Sequence, residues 1–135
     1  MPVENRSEAL LNNLAALHRA VPEVLGTAVI THDGLLIASY PPGWDADIHD
    51  PSGGENVAAM AAVAVGLAER TLTRLDQGDL KRVLMEGARG TVAVLPATTD
   101  AALALLIGSD ARLGLVLQAA RQATDQIRAI LDNHE

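Results

Sequence analysis

The chain of 135 residues is 49% hydrophobic yet only 1% aromatic, and its formal net charge of −7 would repel phosphate backbones and anionic lipid. With almost no rings to stack on bases, and with a length suited to one domain burying roughly two-thirds of its unfolded surface, nucleic acid and membrane are poor partners. The absence of cysteine excludes disulfides, thiol nucleophiles and thiolate metal sites. With no long apolar run and no signal-peptide core after Met1-Pro2-Val3-Glu4, it points to a cytoplasmic protein.

Asn5 and Glu8 stand at N-cap and N3 spacing, and Leu10, Leu14, Leu17 and Val21 recur every three or four residues, predicting an amphipathic first helix ended by Pro22. From Leu25 to Tyr40 the β-branched residues Thr27, Val29, Ile30 and Thr31, the turn dipeptide Asp33-Gly34 and the run Leu35-Leu36-Ile37-Ala38 predict a β-hairpin. The segment 41–54, with three prolines, three glycines and three aspartates, reads as a long surface loop.

Glu55 to Leu75 predicts a second helix stopped by Gly78. Between Val57 and Ala68 it has no charged or polar side chain, so it must be covered on more than one side. Projected at 100° per residue, Val57, Met60, Ala64, Leu67 and Thr71 form a bulky face expected to cover a sheet. Ala58, Ala62, Val65, Glu69 and Leu72 form an opposite, smaller face expected to meet another helix. Three short strands follow at Leu80–Glu86, Thr91–Leu95 and Ala101–Ile107, with Pro96 at a strand end. Ser109 or Asp110 is expected to cap a last helix with Leu113, Leu117, Ala120, Ile127 and Leu131 near one stripe, leaving Asp132–Glu135 frayed.

Several side chains are candidate sites. Arg70 and Arg74, four residues apart, suit an acidic protein surface, against the plainer reading that they complement the helix C-terminus and pair with Glu69 or Asp76. Trp44 is either an exposed anchor for a partner or a lid on its own domain. Asp45, Asp47, His49 and Asp50 miss the calcium-loop pattern, since no glycine stands at its sixth position and Asn56 replaces the final glutamate, so a solvated acidic loop is expected rather than a metal site. Gly53-Gly54 lack the Lys-Ser or Lys-Thr pair of a phosphate-binding loop, and the four histidines have no ligand spacing. No catalytic constellation and no cofactor are expected.

On Val21-Pro22-Glu23-Val24 leading into Gly26, Asp33-Gly34-Leu35, the Ala/Val-rich second helix and Leu113-Gly114-Leu115-Val116, the chain resembles the roadblock/dynein light-chain family, particularly bacterial members of the MglB type. The likeness runs from about Ser7 to Leu131, so 1–135 is expected to be one roadblock domain with its core over about 7–131. It implies an α/β layered, profilin-like fold: a five-stranded antiparallel sheet ordered 2-1-5-4-3, helices 1 and 3 on one face and helix 2 on the other.

The resemblance further implies a homodimer joined through the second helix and third strand, with Ala58, Ala62, Val65, Glu69, Leu72, Arg82 and Leu84 as interface residues. Such a pair presents its helices to a small Ras-like GTPase and modulates its nucleotide state without catalysing anything itself. Arg70, Thr73, Arg74 and Trp44 are the residues expected to touch that GTPase. Two rivals make other demands. A small-molecule-sensing module needs a pocket within one subunit, and a structural adaptor would recruit larger assemblies without altering GTP turnover.

Overall fold

The first helix, α1 (Arg6–Ala20), begins where the Asn5 side chain accepts the Glu8 backbone N–H at 2.8 Å, and its Leu10, Leu14 and Leu17 turn inward. The structure, a computed structural model, describes residues 5–45 and 55–133. Past Pro22 the chain enters β1 (Val24–Thr31), reverses at Asp33-Gly34 and returns as β2 (Leu36–Tyr40). Gly34 has φ +91°, and a Cβ on it would come within 3.2 Å of the Ala59 backbone, so the turn needs glycine for both conformation and space.

The expected five-stranded antiparallel sheet is present in the order β2-β1-β5-β4-β3, with β3 (Val83–Gly87), β4 (Gly90–Pro96) and β5 (Ala101–Gly108). Pro96 ends its strand, where a missing N–H costs least. Two irregularities bend the hairpin strands, one beside Leu25, which is left over half exposed, and one opposite Val29 and Ile30. The third strand starts at Val83 instead of Leu80. Leu80 packs below as part of the connection from the second helix, α2 (Glu55–Arg74).

Alternation along the strands sorts the interior into two layers. Val29, Ala93, Leu95, Leu103, Leu105 and Ile107 meet α1 and the last helix, α3 (Leu113–Asp132), in a core of large aliphatic side chains. On the other face Ala28, Ile30, Val94, Ala102 and Ala104 meet Ala58, Ala61 and Val65 of α2. This second layer is made mostly of alanine, so α2 lies close to the sheet.

Two helix ends differ from expectation. Asp76, not Gly78, terminates α2: at φ +56° it lets Gln77 donate to the Leu72 carbonyl at 2.8 Å and its own N–H reach the Thr73 carbonyl at 3.1 Å, a Schellman closure. Ser109 and Asp110 do not cap α3. They occupy a turn closed by Ala111 N–H to Gly108 carbonyl, and Arg112 precedes the helix without a side-chain cap. Arg112 instead binds Glu23 at 2.9 Å, tying the start of α3 to the connection between α1 and β1. That pairing joins Glu23, within one of the segments on which the family likeness rests, to the residue just before another, Leu113-Gly114-Leu115-Val116.

Candidate interaction site

The side of α2 that faces away from the sheet is where the molecule departs most from an ordinary surface. Met60, Val63 and Leu67 are 63%, 69% and 58% exposed, while Ala58 and Val65 are buried at 0% and 1%. The two faces of the helix are therefore used the other way round from the sequence expectation. The small face, assigned to a second helix, lies on the subunit's own sheet, and the bulky face is left in solvent. The reason is steric: β1 and β5 offer Ala28, Ala102 and Ala104 on that side, and small residues on both partners bring helix and sheet within dispersion range.

Residues Ala58 and Val65 are thus withdrawn from any contact with another chain, and Ala62 is partly buried against the same core. Glu69 and Leu72 are half-buried, Glu69 lining a solvent-open groove of about 640 Å³ between the C-terminal ends of α2 and α3. Thr73 lines that groove too, away from the exposed stripe. The ligand-sensing reading requires a pocket within the subunit, and this groove lies at the surface instead.

Arg70 and Arg74 are exposed and continue the stripe begun by Met60, Val63 and Leu67, at successive steps of three and four residues. That is the 3.5-residue period of a helix–helix seam. The expected pairs with Glu69 or Asp76 do not form, and neither arginine makes an ion pair among the described residues. Arg70 lies back over Gly66, where an added Cβ would come within 3.4 Å of its guanidinium.

Beside α2 runs β3, one of the two edge strands of the sheet. Leu84 and Met85 are 38% and 42% exposed on opposite faces of it. Just before the strand, Arg82 is half-buried and its Nε has no hydrogen-bond partner. An edge strand with open backbone groups, exposed aliphatics and an unsatisfied guanidinium is a template for pairing with another strand.

Trp44 is not an exposed anchor. Its indole packs on the alanine-rich layer over Gly26, and its Nε1 donates to the Thr27 carbonyl at 2.7 Å. The lid alternative holds for this residue. Thr27 is the hub beneath: its hydroxyl donates to the Tyr40 carbonyl at 3.2 Å and lies 3.2 Å from His18 Nε2, and His18 stacks edge-on against the Tyr40 ring. Which of His18 and Thr27 donates in that contact follows the tautomer of the imidazole. Burial lowers the His18 pKa, opposed in smaller measure by a backbone hydrogen bond to Tyr40.

The acidic-loop residues Asp47, His49 and Asp50, the pair Gly53-Gly54 and the tail residues His134 and Glu135 lie outside the described residues. Asp45 falls within them and is buried, and no group of three His, Asp or Glu side chains among them could hold a metal ion. No helix among the described residues is long and apolar enough to cross a membrane.

The molecule is thus a layered α/β unit with a bare apolar seam on one helix and an open sheet edge beside it. Residues 10–107 match the Roadblock/LC7 domain model, and the chain belongs to that family. An uncharacterized protein of Methanocaldococcus jannaschii is 34% identical over 108 residues, covering 79% of this chain and 87% of its own. Among solved structures, the gliding protein MglB of Thermus thermophilus superposes with a TM-score of 0.83 at 18% identity, over 99% of this chain and 96% of that one. An MglB in a tetrameric arrangement gives 0.82 at 18% identity, over 98% and 94%. The fold is the MglB-like, profilin-type arrangement of the family.

Proposed function

We propose that this chain is a regulator or scaffold without a catalytic site of its own: two copies pair through α2 and β3, and the joined helices bind one small Ras-like GTPase and modulate its nucleotide state. The observation that carries the reading is the seam Met60, Val63, Leu67, Arg70, Arg74, apolar at one end and bearing at the other two cations without an ion pair among the described residues. Covering each of its three aliphatic side chains would contribute roughly 1–2 kcal/mol. Summed over two copies this is of the same order as the translational and rotational freedom lost on association, so the seam acts together with the edge strand. Leu84 and Arg82 on the edge strand extend the contact, and an acceptor from the second copy would satisfy the Arg82 guanidinium.

Self-association is in keeping with the tetrameric arrangement of one MglB of the same fold. Arg70 and Arg74 are the residues proposed to meet an acidic GTPase surface, whereas Thr73, in the groove to one side, and Trp44, engaged in its own subunit, are not placed on it. The GTPase supplies nucleotide site, magnesium and hydrolytic groups, so the effect of the pair is to bias its switch conformations.

The test is to purify the small GTPases of the host, above all any encoded beside this gene, and to measure binding and single-turnover GTP hydrolysis with and without this protein. Binding at micromolar concentration in a ratio of two chains to one GTPase is expected, with a several-fold change in turnover that Arg70→Glu with Arg74→Glu abolishes. Unchanged hydrolysis despite tight binding would select an adaptor role. Indifference of every GTPase would sink the proposal.

A further inference from the structure

The outer side of β3 carries a run of residues that is complementary to itself when reversed. Its turn to β4 has two residues, which makes Gly87 and Gly90 a hydrogen-bonded pair, and bonded pairs then recur at Met85 with Val92 and Val83 with Val94. Leu84 and Glu86, and by the same alternation Arg82 one step before the strand, therefore turn their backbone N–H and C=O groups away from β4, to the open edge. Their side chains share the face of Ala93, the partner of Leu84, in the α1/α3 layer. Val83 and Met85 lie on the α2 face with Val94 and Val92.

Two opposite charges flank the exposed Leu84 on this edge. Arg82 is half-buried and Glu86 exposed, and neither makes an ion pair among the described residues. They stand two residues to either side of Leu84, about 13 Å apart along an extended chain, so they do not neutralise each other within one copy.

We infer that β3 is a self-recognition strand: it pairs antiparallel with β3 of a second copy in the register centred on Leu84, so that Arg82 of each copy faces Glu86 of the other. This register rests on the pairing through α2 and β3 proposed above. For the α2 seams of two copies to meet, both helices must lie on one side of the joined sheet. The two-fold axis then stands perpendicular to the sheet, and each residue meets one from the same face. Three central positions satisfy that rule. With the axis at Met85, Leu84 would meet the Glu86 carboxylate, and Arg82 would meet Ala88 in the turn. With the axis at Val83, Arg82 would meet Leu84 and Glu86 would meet Leu80. With the axis at Leu84, leucine meets leucine, Val83 meets Met85, and an Arg82–Glu86 pair of opposite charge lies on either side of the axis, directly across the ladder. An edge strand without these charges at these positions leaves them unpaired, so the five residues 82–86 select an identical copy over other partners.

The experiment is sedimentation equilibrium on the full chain up to about 100 µM, comparing wild type with Arg82→Glu, Glu86→Arg, the double swap, an equimolar mixture of the two single variants, and Val63→Glu on the α2 seam. Each single reversal sets two like-charge pairs across the axis and is expected to raise the dissociation constant about tenfold or more. The double swap restores both pairs, and so does the mixture, in which one variant pairs with the other; both should return to within about threefold of wild type. Recovery in the mixture also shows that the single variants are folded. Reversals that leave the dissociation constant unchanged, or a mixture that does not recover, overturn the register, while Val63→Glu breaking the same pair leaves the α2 pairing standing. A wild type that stays a single chain at the highest concentration overturns both.

Discussion

Gly26 shows how much one missing side chain can decide. The Trp44 ring occupies the space a Cβ would need, so Gly26→Ala must expel the indole or shift β1. Overpacking of that kind costs about 1–3 kcal/mol. The expected result is a lower melting temperature and a red shift in the emission of Trp44, the one tryptophan in the chain. An unshifted spectrum at full stability would mean that the indole does not rest there.

His18 predicts a pH dependence from the same cluster. Its pKa is lowered from the ordinary 6.5 chiefly by burial, so the unfolded chain binds the proton more readily than the folded one. The stability contributed by neutral His18 is therefore complete above about 6.5 and is lost as pH falls through the lower, folded value. His18→Gln, which keeps a donor but does not titrate, should flatten the profile of melting temperature between about pH 7 and 5. A variant that follows the wild-type curve in that window would place the titrating group elsewhere.

At the scale of elements, the C-terminus of α2 offers a clean test of helix closure. Asp76 holds a left-handed conformation at φ +56° that glycine adopts without steric cost. Asp76→Gly should raise stability by about 0.5–1 kcal/mol, seen as a higher denaturant midpoint at unchanged slope. A lower midpoint would show that the aspartate side chain contributes more than its backbone strain costs. The example also explains a difference from the sequence reading. Gly78 is the conventional stop signal, yet the apolar period of α2 runs out at Leu75, and the first residue able to turn left after it is Asp76.

The elements themselves were legible because each depends on neighbours in the chain. The cap at Asn5, the Asp33-Gly34 turn and the pairing of β1 with β2 are satisfied within a few residues, and all three are found as expected. The cap of α3 was not legible. Whether Ser109 or Asp110 can serve depends on where the turn after β5 delivers the chain, and the Glu23 to Arg112 contact, across 89 positions, helps determine that.

For the whole molecule, the same division separates what the amino-acid order determines from what only packing decides. Periodicity and turn signals were enough for the succession of helices and strands, and the family likeness supplied the 2-1-5-4-3 order of the sheet. The apolar run of twelve residues from Val57 to Ala68 was enough to require cover for α2 on two sides. Which side takes which cover was beyond it. A helical projection states that Met60 and Ala58 point apart, not which one the sheet accepts. That choice was made by Ala28, Ala102 and Ala104, brought under the helix from two strands far apart in the chain. Because they are small, the sheet took the small face of α2 and left Met60, Val63 and Leu67 outside, and the seam open to another chain is a product of tertiary packing alone.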